Sequence, residues 1–373
     1  MDRRMTSPVA LRVICTIAIL VTLTGALSAC QASNDRFATE TAASREAVRM
    51  TPTNTPSGDL LVIDGSPVHH VYVPSSDGPA QYALTDEWLY RKDGNEWVPT
   101  TTRADDRAIL VDPERPERLF RGDHPVCSEE EETDPITFSK STDGGNTWRA
   151  IPGGDNIRPL AIDPTLGDVI YGSDCGLAIS ADAGETWRAY YLAHGYTVVY
   201  AVVVGERLLV LELSRTGGGR VRSIDVTVPE DPELVDVLFE TGNAFDLDAR
   251  GERIVVGGME GVSFSLDSGD TWTTSRSGLE EVTVESIRDL PPRDGRDARP
   301  EFGVLAVQID PLNTERIFAG TVRGLYISQD AGLTWDEYTR VRHDVQVLNI
   351  QFAAGGNDIF ITTPDGVLSV PNP

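Results

Sequence analysis

A chain of 373 residues with 58 aspartates and glutamates against 32 lysines and arginines carries a formal charge of −26. A surface that acidic repels phosphate backbones and anionic head groups, so nucleic acid is excluded as a partner. The chain also lacks GxSxG, HExxH, P-loop and dinucleotide-binding motifs, and no cofactor is expected.

At the N-terminus Arg3 and Arg4 precede an apolar stretch from Val13 to Leu27, the layout of an export signal. With Thr16, Thr22, Thr24 and Gly25 inside it, this stretch falls short of the ~20 apolar residues of a spanning helix. Leu27, Ser28, Ala29 and Cys30 resemble the lipobox of bacterial lipoprotein precursors. The resemblance implies removal of residues 1–29, lipidation (palmitate included) of Cys30, and a mature chain anchored to a bacterial membrane outside the cytoplasm, at the cell surface or in the periplasm. Removing residues 1–29 takes away three arginines and one aspartate, leaving a charge near −28. Residues 30–57, rich in Ala, Thr, Ser, Glu and Pro, cannot bury a core and read as a flexible tether. Cys15 leaves with the signal and Cys30 takes the lipid. The remaining pair, Cys127 and Cys175, reads as a disulfide in an oxidising compartment, and the chain-entropy model values that closure at roughly 4 kcal/mol.

From residue 58 onward the chain repeats itself. Four segments fit SxDxGxTW: Ser141 to Trp148 with Asp143 and Gly145, Ser180 to Trp187 with Asp182 and Gly184, Ser265 to Trp272 with Asp267 and Gly269, and Ser328 to Trp335 with Asp330 and Gly332. A worn copy runs from Asp93 to Trp97. The pattern suits a tight turn between two strands: the carboxylate accepts backbone N–H groups and the glycine takes a conformation that a Cβ resists. The tryptophan is expected to begin the next strand and pack inward. Upstream of three copies lies a second module, Asp112-Pro, Asp163-Pro or Asp310-Pro followed by a short strand ending in glycine, so each repeat holds about four strands.

These copies resemble Asp-boxes, or BNR repeats, found in the β-propellers of sialidases, sortilin-type receptors, xyloglucan-degrading hydrolases and photosystem II assembly factors, with most similarity to the last two groups. The resemblance implies an all-β fold, a single β-propeller over residues 58–373. Boundaries at 66–104, 105–155, 156–195, 196–241, 242–300, 301–343 and 344–373 give seven four-stranded blades, or six if the fourth repeat, which has no box, merges with a neighbour. The last repeat has only three strands of its own, and Leu60 to Ile63 near the start is expected to supply the fourth and close the ring.

In such a propeller the loops after first and third strands share one face, which carries the boxes as structural elements. Loops after second and fourth strands form a second face, where the irregular segments 124–132 and 275–300 and both Cys127 and Cys175 fall. Candidate residues there are Arg103, Asp105, Arg158, His194, Tyr196, Arg342, His343 and Asp344. The adjacent His69 and His70 point to opposite sides of a strand, so no metal site is expected of them. The preferred reading is a non-catalytic protein-binding or assembly scaffold whose partner docks on the second face. The competing reading is a surface glycoside hydrolase or glycan-binding protein; the sialidase resemblance would assign catalysis to Arg103, Arg158, Tyr196, Arg342 and Asp344.

Overall fold

Short alternating apolar stretches bounded by glycine turns fold as antiparallel strands, and no helix occurs among the described residues. The computed structural model describes residues 48–49, 59–73, 82–94, 96–104, 108–123, 125, 127, 137–190, 192, 195–214, 218–284, 302–353 and 355–373, all within the compact unit Ala47–Pro373. Cys30 and residues 1–29, the expected export signal, lie outside them.

The strands form seven sheets arranged as the blades of a propeller. Blade 1 is Ser66–Tyr72, Tyr82–Thr85, Trp88–Asp93 and Glu96–Arg103, and blade 2 is Ala108–Val111, Leu119–Gly122, Thr137–Ser141 and Arg149–Asp155. Blade 3 is Arg158–Ile162, Ile170–Ser173, Leu177–Ser180 and Arg188–Tyr190, and blade 4 is Tyr196–Val204, Arg207–Ser214, Gly219–Asp225 and Glu233–Thr241. Blade 5 is Ala244–Arg250, Arg253–Gly258, Gly261–Ser265 and Thr273–Ser275, and blade 6 is Val304–Ile309, Ile317–Thr321, Gly324–Ser328 and Asp336–Glu337. Blade 7 has three strands from the C-terminal end, Asn349–Phe352, Asp358–Thr363 and Gly366–Pro371, and takes its fourth from Asp59–Leu60. Asp59 pairs with Ser369 and Leu60 with Leu368, and the Leu61 N–H donates to the Val367 carbonyl at 2.9 Å, so the ring closes near the expected place, but by Asp59–Leu60 rather than Leu60 to Ile63: Val62–Ile63 turns back to pair with Ser66 and Pro67 of blade 1. Within the expected tether, Val48–Arg49 pairs with Trp97 and Glu96 along the outer edge of blade 1.

The core is divided into seven clusters, one at each seam between neighbouring blades. Leu61, Val71, Trp97 and Val367 join blades 7 and 1. Tyr82, Leu89 and Leu119 join blades 1 and 2, and Phe138, Ile151 and Ile170 join blades 2 and 3. Val198, Leu208 and Tyr171 fill the next seam, and Leu209, Leu247 and Val256 the one after it. Val255, Phe264 and Ile309 join blades 5 and 6, and Phe318, Ile350 and Ile361 join blades 6 and 7.

The SxDxGxTW turns cement these seams. In all four, the serine hydroxyl donates to the aspartate and accepts the glycine N–H, both at 2.8–2.9 Å. The carboxylate in turn accepts the threonine N–H at 2.8–2.9 Å and the threonine hydroxyl at 2.6–2.7 Å. At Asp267 these bonds, led by the Thr271 hydroxyl, hold the carboxyl below its ordinary range. The two residues after each aspartate have positive φ, for example Ala183 at 58° and Gly184 at 82°. A Cβ on Gly184 would lie 2.8 Å from the Phe138 ring, and one on Gly332 would lie 2.9 Å from Phe264, in each case a residue of the preceding blade.

The tryptophans pack into the core as expected but do not begin the fourth strands. They precede the fourth strands and turn sideways into the seam with the preceding blade. Trp148 donates its indole N–H to Thr102 at 2.7 Å, Trp187 meets Phe138 edge-on, Trp272 stacks on Phe239 at 4.4 Å between centroids, and Trp335 joins the cluster of Val255 and Phe264. The indole is large and flat, so it can cover the neighbouring sheet from a turn at the rim.

Ser180→Ala leaves the buried Gly184 N–H without its acceptor and is expected to destabilise the propeller by roughly 1–3 kcal/mol. Thr186→Ala, at an exposed position of the same turn, should cost clearly less. Thermal melts of the two variants beside the parent check the order, and equal losses would contradict the role given to the serine.

Candidate functional site

The second face is fastened by a disulfide between Cys127, in the loop after the second strand of blade 2, and Cys175, in the corresponding loop of blade 3, with Cα atoms 5.5 Å apart. Thr197, at the start of blade 4, donates its hydroxyl to the Cys127 sulfur at 3.9 Å, so three consecutive blades meet there. Beside Cys175, burial raises the carboxyl of Asp174 above its ordinary range.

The five residues of the hydrolase reading all reach this face, and each is engaged locally. The Arg103 guanidinium lies 4.6 Å over the Trp88 ring. Arg342 and Asp344 form a two-bonded pair at 2.9 and 2.7 Å. Tyr196 lies under the Arg220 guanidinium at 3.7 Å. Arg158 is in electrostatic contact with Tyr200 and Asp123, and burial lowers its pKa. His343 lies 3.9 Å from Glu337, while Asp105 and His194 fall outside the described residues. His69 contacts Asp86 at 2.7 Å, whereas burial lowers His70 to about 4. Among the described residues no group of three or more His, Cys, Asp or Glu side chains is arranged to hold a metal ion.

Blade 4, which has no SxDxGxTW turn, differs in two further ways. Its four strands run to 9, 8, 7 and 9 residues, where the fourth strands of blades 3 and 5 have 3. Its seam with blade 3 contains a buried ion cluster. The carboxylate of Glu212, 1% exposed, accepts two bonds from Arg220, at 2.6 and 3.1 Å, and one from Arg222 at 3.1 Å. A charge withdrawn from water this far is tolerated because every carboxylate oxygen is met by a guanidinium.

A second polar row follows the channel wall. The innermost strands of blades 1, 3, 4, 5 and 6 each carry a β-bulge, at His69, Leu160, Val199, Phe245 and Leu305. The extra residue shifts the alternation, so that the next side chain is re-aimed along the sheet edge. In blades 4 and 5 those residues are Tyr200 and Asp246. Asp246 accepts the Val307 N–H of blade 6 at 2.9 Å, and two residues on Asp248 accepts the Ile309 N–H at 2.8 Å and the Gln308 amide at 2.7 Å. The two carboxylates thus satisfy N–H groups on the inward edge of blade 6. Burial pushes Asp246 up to about 7, against the pull of its backbone donors. Tyr200 lies within electrostatic reach of both Asp246 and Arg158; burial, then Asp246, raises its hydroxyl pKa. Sequence reasoning singled out none of Glu212, Arg220, Tyr200 and Asp246. The available signal was a charge interrupting an apolar run, Glu212 after Leu208 to Leu211 and Asp246 between Phe245 and Leu247.

No protein-family model and no curated protein matches the chain. Similar solved structures include a GH74 xyloglucanase from Xanthomonas campestris, at 17% identity and a TM-score of 0.56 over 87% of this chain and 54% of that one. This chain therefore spans about half the length of the xyloglucanase. YCF48 bound to a D1 peptide is similar at 16% identity and a TM-score of 0.54, covering 83% of this chain and 95% of the other. YCF48 from Cyanidioschyzon merolae follows at 15% identity and 0.51, covering 88% and 99%. At these identities the likeness is one of fold: the relatives are β-propellers, one a glycoside hydrolase and one a peptide binder.

Asp246 gives a pH signature opposite in sign to that of the turn carboxylates. Its folded pKa is above the ordinary value of about 4, so unfolded chains ionise first and stability falls as pH rises from about 4 to about 7. Asp246→Asn keeps an acceptor for Val307 and removes the charge. It is expected to raise stability at pH 8 by about 1 kcal/mol or more, roughly 2–4 °C in Tm, and to leave it unchanged near pH 4. Melts across that range check this; a difference independent of pH would contradict it.

Proposed function

We propose that this protein is a non-catalytic docking scaffold, anchored through lipid on Cys30 outside the cytoplasm, that receives a protein partner on the second face of its propeller. The SxDxGxTW turns are read as Asp-boxes serving structure alone. The observation that carries the reading is the division of labour between faces. First-face turns are consumed in seam bonding, whereas second-face loops are irregular in length and are fastened by the Cys127–Cys175 disulfide. Loops free of a structural role, set on a rigid frame, are where binding residues collect. The disulfide also suits an oxidising compartment and so supports export. The likeness to YCF48 bound to a D1 peptide supports a peptide or protein partner, and the likeness to a xyloglucanase supports a glycan. Hydrolysis would need Arg103, Arg158, Tyr196, Arg342 and Asp344 to act on one substrate, and their separate local partners favour docking.

The test is site-specific photo-crosslinking in the native membranes, with the crosslinker at Asp86 or Arg342 on the second face and at Leu266 or Leu312 on the first. One stoichiometric protein adduct from the second-face positions, with no turnover of sialosides or β-glucans, is expected. Adducts from the first face alone, or turnover abolished by replacing Arg158, would contradict the scaffold reading. Cys30→Ala in the same cells should yield soluble or unprocessed protein, and unchanged membrane attachment would contradict the anchor.

A further inference from the structure

We propose that the outer edge of blade 4, Glu233–Thr241, is a docking site for an extended basic segment of a partner protein, which adds to the blade as a fifth strand. The site lies on the circumference of the disk, apart from the second face, and stands or falls without the docking proposed there.

The outermost strand of a sheet leaves alternate N–H and C=O groups unpaired, and folds blunt such edges by shortness, by proline or bulges, by charge or by cover. Blades 3, 5, 6 and 7 end in strands of two or three residues. The outer strand of blade 2 contains Pro152 and, at a φ of 79°, Gly153. That of blade 1 is covered at its hairpin end by the chain's own Val48–Arg49, with Arg49 in register opposite Glu96. Among the described residues, blade 4 is the one whose outer strand is long, at nine residues, with no proline, no glycine and no strand laid on its outside. Nor does any backbone–backbone hydrogen bond among the described residues join Glu233–Thr241 to a segment beyond its own blade.

Charge selects the occupant. Glu233, Asp236 and Glu240 are exposed along this strand, and no lysine or arginine interrupts it. Glu240 stands in register opposite Arg220, whereas Glu233 and Asp236 have no ion pair among the described residues. Like charges oppose edge-to-edge pairing with a second copy, and the formal charge of −26 on each chain adds to the repulsion. A segment with lysine or arginine at alternate positions satisfies both features of the edge: its backbone completes the ladder, and its cations lie across from the carboxylates. Register shifts on either side of Arg222 in the neighbouring strand add twist to the edge. A single extended segment can follow that twist, whereas the edge of a rigid sheet cannot. Blade 1 shows the same arrangement on a small scale, with a stretch of chain carrying an arginine added outside a strand that presents a glutamate.

The experiment titrates the purified full chain, at physiological ionic strength, with a capped Lys-Val-Lys-Val-Lys-Val-Lys peptide. Two controls accompany it: a peptide of equal charge with proline in place of valine, which cannot join a ladder, and the counterpart with glutamate in place of lysine. Saturable one-to-one binding of the Lys-Val peptide is expected, with hydrogen–deuterium exchange slowed at 233–241 and unchanged at the short outer strands 188–190 and 273–275. Both control peptides should bind at least tenfold more weakly, and Glu233→Lys combined with Asp236→Lys should weaken the Lys-Val peptide to the same degree. The control peptides act on the unaltered protein, so the result is readable even if the double variant folds poorly. No saturable binding of the Lys-Val peptide, equal binding of the proline peptide, or protection that bypasses 233–241 would each overturn the proposal. Self-association of the free protein with slowed exchange at 233–241 would also overturn it, because the edge would then belong to a second copy.

Discussion

A four-stranded blade has two apolar faces and no means of covering either one alone; everything else in this propeller follows from having to cover all of them at once. Seven seams share the burial, so each needs a filler of its own, and the ring must close or leave one seam open to water. Closure rests on a two-residue strand, Asp59–Leu60, continued by the Leu61 N–H. Filling rests on the SxDxGxTW turn, which spends one serine and one aspartate in freezing its loop so that a tryptophan can reach the preceding blade. Where the turn is absent, the seams are met differently: blade 4 has long strands and the Glu212 ion cluster, and the seam of blades 6 and 7 has Tyr338 against Phe318.

Much of this was legible in the sequence because it rests on local chemistry repeated at a fixed spacing. The seven blades fall at the expected boundaries, Leu60 takes part in closure, and Cys127 and Cys175 pair. What was not legible depends on neighbours distant in the chain. Nothing in Ser180 to Trp187 states that the indole leans on Phe138, because the seam between two blades, not the blade, is the unit of burial. The channel row was hidden for a related reason: a bulge changes which way Tyr200 and Asp246 point, and its position is set by pairing with the second strand. The described candidates of the second face, Arg103, Arg158, Tyr196, Arg342, His343 and Asp344, are partnered one by one, and such partners are beyond a one-dimensional reading.

The two faces therefore differ in kind. On the first, aspartates and threonines are committed to one another, and replacing them alters stability before anything else. On the second, the disulfide binds the loops of blades 2 and 3 into one surface that touches blade 4, beside the buried Glu212 cluster and above the polar channel wall. Rigid support beneath irregular loops is what a docking surface requires, and it is concentrated on blades 2 to 5.

The most direct test of this division is hydrogen–deuterium exchange, comparing the purified protein with the protein held in its native membranes. Occupation of the second face predicts slowed exchange at 158–162, 173–177 and 338–348, with the four turns at 141–148, 180–187, 265–272 and 328–335 unchanged. Slowed exchange at the turns, with the second-face segments unaffected, would contradict it.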